Sequence, residues 1–207
     1  QVKSIKMKVA LAQINPTVGC ISGNSQIIKE IIYKYSSQCD LIIFPEMCLT
    51  GYPPQDLLLD SVFLDKTTEA LKNISIMVKS TAVVLGTIRQ AEGKLFNTAA
   101  VLHNGQIVAY RDKTHLPTYD VFDEDRYFTY ASFRNPIPLR LGGKSIRVGV
   151  EICEDLWAPN PPSSSLCIAG AQLILNLSAS SEILGKAAYR SELIRQQSAR
   201  CLCAYAY

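Results

Sequence analysis

Three apolar runs in this sequence each end in a side chain able to do covalent chemistry. Residues 41–44 pass through Pro45 into Glu46, residues 106–110 are followed by Lys113, and residues 146–152 lead directly into Cys153. A thiol, a carboxylate and an ammonium together suit cleavage of an acyl–nitrogen bond. An amide is a poor electrophile, so splitting its cleavage into acylation and deacylation lowers the barrier. A cysteine thiolate can attack the carbonyl and leave a thioester. A glutamate can move protons from thiol to departing ammonia and then from water. A lysine cation can hold the tetrahedral oxyanion, worth about 3–4 kcal/mol in comparable sites. A carboxylate alone is a poor base for a thiol, because their ordinary pKa values of roughly 4.3 and 8.5 lie about 6 kcal/mol apart. A neighbouring lysine is therefore expected to lower the thiol pKa. Residue types alone leave plainer readings open: Cys153 as a core thiol, Lys113 as a solvated charge, Glu46 as a loop carboxylate.

The elements that must position these groups alternate between strand and helix. Residues 8–14 read as a first strand closed by Asn15-Pro16, a turn signal. Asn24 is expected to cap a helix whose Ile27, Ile28, Ile31, Ile32 and Tyr35 recur at helical spacing. A second helix is expected over residues 61–80, with Val62, Leu64, Leu71 and Ile74 on its apolar side. Strands come next at 83–88, 97–102 and 106–110, with a hairpin turn at His103-Asn104-Gly105. Residues 116–138 are aromatic-rich and irregular, and strand character returns at 146–152 and 173–177. A last helix fills 187–202, and 203–207 begins another strand. Continuous apolar strands alternating with helices predict a layered α/β or α+β domain. In such domains strand ends that converge on one rim form a site, but periodicity does not by itself bring these three ends together. A chain stopping inside a strand reads as a fragment, incomplete at its C-terminal end.

Composition narrows the function classes. With 207 residues, one domain with a substantial core is expected, spanning 1–207. The net charge of +3 is scattered, with no dense basic run for nucleic acid. No apolar stretch reaches the roughly 20 residues that cross a bilayer. Seven cysteines without a CxxC pair support neither a disulfide framework nor a zinc site, so a reducing, cytoplasmic setting is expected.

Four strings sharpen this: LIIFPEMCLTGYPPQDLLL (41–59), YRDKTHLPTYDVFDEDRYF (110–128), VGVEICEDLW (148–157) and LILNLSAS (173–180). They resemble the nitrilase, or carbon–nitrogen hydrolase, superfamily. GYPPQDLLL and HLPTYDVFDE are most similar to the glutamine amidotransferase domain of glutamine-dependent NAD synthetases. The resemblance implies a nitrilase-type α-β-β-α sandwich with Glu46, Lys113 and Cys153 as catalytic triad. It further implies Glu124 as a supporting glutamate and Tyr52 and Tyr119 as aromatic pocket residues. Glu154, Ser180 and Lys186 fall where the family holds the amino acid end of glutamine, and the Glu154 backbone N–H is a natural second oxyanion donor. The sequence departs from the family at Ser181, often a proline, and at Thr129-Tyr130, usually a Pro-Gly turn.

The activity expected from this resemblance is hydrolysis of the glutamine side-chain amide, with ammonia feeding NAD synthesis from deamido-NAD. No cofactor or metal is expected in this domain; ATP and magnesium belong to a C-terminal synthetase domain, whose phosphate loop is absent from this sequence. Glutamine, that domain and further copies of the chain are the expected partners, with no nucleic acid and no membrane. A stand-alone amidase or nitrilase, and an inactive assembly module, are the competing readings. His115 is a poor candidate for a Cys–His dyad, and Trp157 is as much packing as pocket.

Overall fold

The computed structural model describes residues 6–131 and 135–207. Residues 132–134, inside the stretch expected to be irregular, lie outside the described residues, as do residues 1–5.

Two sheets form the middle of the molecule. The first runs β1 (Val9–Leu11), β2 (Leu41–Ile43), β3 (Ala82–Ala91), β4 (Lys94–His103), β5 (Gln106–Asp112), in that order across the sheet. Its first three strands are parallel and the last two turn back antiparallel. The second sheet runs β6 (Ile137–Leu141), β7 (Lys144–Ile152), β8 (Leu173–Leu177), β9 (Ala204–Ala206), with β6 antiparallel and the others parallel. Leu41, Ile43, Val84 and Val101 of the first sheet pack against Leu139, Val148, Val150 and Leu175 of the second. The alternate residues Ile42, Phe44, Val83 and Leu85 point the other way, onto helices α1 (Ile21–Tyr35) and α2 (Ser61–Met77). Beyond the second sheet lie α3 (Pro162–Ile168) and α4 (Lys186–Cys201), with Leu166 packed on Ile174. The layers are α-β-β-α, the expected sandwich. Among the described residues no helix is long and apolar enough to cross a membrane.

Local chemistry explains most boundaries. Asp60 caps α2 by accepting the Val62 N–H at 2.9 Å. Asn104 and Gly105 both take positive φ, +52° and +77°, the two-residue hairpin turn that fits right-handed strand twist. Four expectations need correction. β1 covers only three residues, because the chain leaves the sheet edge after Leu11. Asn24 is not a cap: α1 begins at Ile21, and the buried Asn24 amide instead bonds the Thr17 N–H and C=O, both at 2.8 Å. Val62 is exposed, and Phe63 takes the core position on α2. Part of the stretch expected to be irregular is strand β6, whose Pro138 is tolerated on a sheet edge.

Candidate active site

The three reactive strand ends meet between the sheets. β2 runs through Phe44-Pro45 to Glu46, β5 delivers Lys113, and β7 stops at Cys153, which opens a short 3₁₀ turn, Cys153–Leu156. All three side chains are sealed from solvent: Glu46 and Lys113 are 1% exposed and Cys153 5%. The Lys113 Nζ sits 2.7 Å from Glu46 Oε1 and 2.7 Å from Glu124 Oε1. Burial disfavours its ammonium, but the two carboxylates outweigh this and hold Lys113 above its ordinary pKa. Glu124 is raised by burial and by Glu46, and Lys113 offsets only part of that.

Two backbone details hold the groups in place. Cys153 has φ +45° and Met47, just after Glu46, has φ +46°, a left-handed conformation that costs a non-glycine residue about 1 kcal/mol or more. Gly86 on β3 lets the Glu46 segment lie against the sheet. A Cβ there would stand 2.3 Å from Met47 N and 2.5 Å from Glu46 Cα.

Several members of the site carried no sequence signal of their own. Asn97 on β4, 1% exposed, donates through Nδ2 to Glu46 Oε1 at 2.7 Å and Glu124 Oε2 at 3.2 Å. It sits beside Thr98 ahead of the apolar run Ala99–Leu102, a pattern that does not single it out. Asp155 accepts the N–H groups of Ile152 (2.8 Å), Thr114 (3.0 Å) and His115 (2.8 Å). It thereby ties the cysteine turn to the lysine loop, and burial pushes its carboxyl up to about 7. Asn176 on β8 accepts the Cys153 N–H at 3.0 Å. The Ala179 N–H donates to Glu46 Oε2 at 3.0 Å, joining the second sheet to the first.

The thiol departs from expectation. Burial pushes the Cys153 pKa up to about 12, with the Glu46 carboxylate the next contribution. Lys113, the Ser178 hydroxyl and the Ala179 amide pull it down without overcoming these. Loss of solvation dominates, and the Glu46 carboxylate opposes the field of Lys113 at the sulfur.

The other expected residues separate into two groups. Tyr52 OH donates to Glu124 Oε1 at 2.8 Å, so its hydroxyl buttresses the supporting carboxylate. Tyr119, 54% exposed, donates to Glu154 Oε2 at 2.8 Å. Tyr119 and Glu154 share an open cleft with Thr114, His115 and Trp157. Lys186 reaches the rim of that cleft, its Nζ 5.0 Å from the Trp157 ring centre and 2.8 Å from the Ser181 carbonyl. Ser180 bonds locally to Ser178 and Ser181 and also meets the Tyr207 side chain. His115 uses its backbone N–H on Asp155, while its Nε2 is buried without a hydrogen-bond partner. Among the described residues no cluster of three or more His, Cys, Asp or Glu side chains is arranged to hold a metal.

The carbon-nitrogen hydrolase family profile matches residues 8–207. The glutamine-dependent NAD(+) synthetase of Synechocystis sp. is 38% identical over 211 residues, covering 93% of this chain and 37% of that protein. The Thermotoga maritima protein of the same name is 37% identical, covering 98% and 35%. Among solved structures, glutamine-dependent NAD+ synthetase from Acinetobacter baumannii superposes with a TM-score of 0.88 at 34% identity, covering 97% of this chain and 38% of that one. An amidase from Nesterenkonia sp., 22% identical with a TM-score of 0.80, shares the fold, and covers 97% and 75%. The chain spans a little over a third of the length of the curated synthetases it matches.

Proposed function

Given that the chain belongs to the carbon-nitrogen hydrolase family, we propose that this hydrolase cleaves the side-chain amide of glutamine through a thioester on Cys153. The supporting observation is the Lys113 ammonium clamped between Glu46 and Glu124 beside the buried thiol.

The raised thiol pKa bears on how the reaction starts. At neutral pH an isolated thiol titrating near 12 is about 7 kcal/mol from ionising. Direct transfer of its proton to Glu46 moves one negative charge from carboxylate to sulfur without creating a new one. The same transfer removes the Glu46 charge that opposes the thiolate. Thiolate formation and attack on the amide are then coupled, so the negative charge passes promptly to the carbonyl oxygen. Lys113, with the Glu154 backbone N–H as second donor, stabilises that oxyanion. Collapse returns the proton from Glu46 to the departing ammonia, and Glu46 next takes one from the water that attacks the thioester. Asn97 and Glu124 do no bond-making; they hold Glu46 and Lys113 in register.

Glutamine is favoured as substrate by the cleft outside the pocket. Glu154 can receive the α-ammonium of a bound amino acid, and Lys186 at the rim can face its carboxylate. The synthetases named above are glutamine-dependent, and the chain matches about a third of each. The released ammonia accordingly serves NAD synthesis from deamido-NAD in a synthetase part that uses ATP and magnesium, beyond these residues. Trapping tests the proposal: a diazoketone analogue of glutamine should label Cys153, as identified by peptide mass spectrometry, and glutamine should protect it. Labelling at another cysteine, or faster hydrolysis of small aliphatic amides than of glutamine, refutes the assignment.

A further inference from the structure

Away from the reactive pocket, three sulfurs meet behind the second sheet. Cys167 lies near the end of α3, Cys201 is the last residue of α4, and Cys203 precedes β9. The Cys167 Sγ is 3.3 Å from the Cys203 Sγ, its S–H directed toward it. Cys201 interacts with both and accepts the Gln197 Nε2–H at 3.3 Å. All three are partly accessible to solvent. The plain reading is small apolar side chains filling a gap. Two features go beyond it. The three come from separate elements, Cys167 and Cys203 being 36 residues apart in sequence, so folding itself brings the sulfurs together. Their separation is also only about 1.2 Å longer than the roughly 2.05 Å of a disulfide bond.

We propose that Cys167 and Cys203 form an oxidation site, joined as a disulfide by exchange with a low-molecular-weight disulfide. Cys203, which the Cys167 S–H faces, attacks one reagent sulfur; a mixed disulfide forms and one reagent thiolate leaves. Cys167 then attacks the Cys203 sulfur and expels the second reagent thiol. The protein pair loses two electrons and two protons, and the reagent takes up both to become two thiols. Burial raises all three protein thiols, Cys167 to about 12 and Cys201 to about 11. The exchange is therefore slow at neutral pH and quickens as pH rises. The cross-link would brace α3 against β9. Tyr205 on that strand meets Glu151 and Asn176, and Asn176 holds the Cys153 N–H.

The test does not depend on the hydrolytic activity. The folded protein is incubated with oxidised glutathione at about pH 9.5, where a larger fraction of the raised thiols is ionised than at neutrality. Free thiols are then alkylated, and a tryptic digest is analysed by mass spectrometry. Cys201 and Cys203 fall on one peptide, after Arg200, and Cys153 and Cys167 share another, residues 148–186, so variants and fragment ions separate them. The expected result is a cross-link between the Cys167 peptide and the Cys201–Cys203 peptide, with loss of two alkylatable thiols and reversal by dithiothreitol. The link persists in Cys201→Ser and falls roughly tenfold or more in Cys203→Ser and Cys167→Ser. A bond from Cys167 to Cys201, glutathione adducts on Cys20 alone, or equal cross-linking of urea-unfolded protein overturns the proposal.

Discussion

Replacing Lys113 with methionine strikes the electrostatic centre of the pocket while nearly conserving side-chain volume. In the native site the Lys113 ammonium lies 2.7 Å from an oxygen of each of two carboxylates, and the Asn97 amide also donates to both, sharing Oε1 of Glu46 with Lys113 and taking Oε2 of Glu124. Removing one member of a buried ion pair costs about 3–5 kcal/mol, because the charge left behind is uncompensated. That is a large share of the roughly 5–15 kcal/mol that typically holds a domain together. The sign of the pH dependence comes from Glu124, whose pKa burial raises in the folded state. Native protein then keeps a proton that the unfolded chain has lost, and stability falls as pH rises above the ordinary glutamate value near about 4.3. Lys113 opposes that fall, and it stays charged across this window because its own pKa is held above the usual lysine range. Without it the fall steepens, so the stability gap between wild type and variant should be widest near about pH 8 and shrink toward about pH 5. Loss of the oxyanion donor should lower kcat by a further 10²–10³, roughly, even in molecules that remain folded. Urea unfolding followed by circular dichroism at several pH values measures the first effect, and ammonia release from glutamine measures the second. Adding Glu124→Gln should restore much of the stability and none of the turnover. Equal urea midpoints for wild type and Lys113→Met, or a gap that widens toward acid, would refute this account of the pocket.

Three further outcomes are expected. Gly86→Ala drives a Cβ to 2.3 Å from Met47 N and 2.4 Å from Pro45 O, both backbone atoms, so the Glu46 segment must move. Turnover should fall about 10²-fold with a stability loss of only about 1–3 kcal/mol, and unchanged kcat would show that Glu46 tolerates displacement. With its thiol near 12, Cys153 in substrate-free protein should react with iodoacetamide about tenfold faster per pH unit between roughly pH 7 and 10. A flat profile in site-resolved mass spectrometry would mean the resting sulfur is already a thiolate. Asp155→Asn leaves fewer acceptors for three backbone N–H groups and should cost about 2–3 kcal/mol in urea unfolding. A variant as stable as wild type would show that the cysteine turn is held by other contacts.

Much of this was legible along the chain. Strand β8 was readable to the residue because LILNL is apolar almost throughout and bounded by turn-forming neighbours. Glu46, Lys113 and Cys153 stand out through the strings around them, since their residue types alone leave core-thiol, solvated-charge and loop-carboxylate readings open. Strand β6 was obscured by Pro138, since a proline reads as a break unless one knows that the strand lies at a sheet edge. Asn24 looked like a cap because its type is right, but the real helix start was set by the chain's route past Thr17 and Leu49.

The sequence by itself determined which groups are available for chemistry and roughly where each element begins and ends, since propensity, turn chemistry and periodicity act over a few neighbouring residues. Only the tertiary structure decided what each group's surroundings do to it. Asn97 becomes a bridge between two carboxylates, Asp155 a tie between loops, and the Cys153 thiol is pushed up by burial despite its lysine neighbour. Desolvation and Coulomb terms depend on distances between residues tens of positions apart, such as the 67 that separate Glu46 from Lys113. No local rule can sum those terms before the chain has folded.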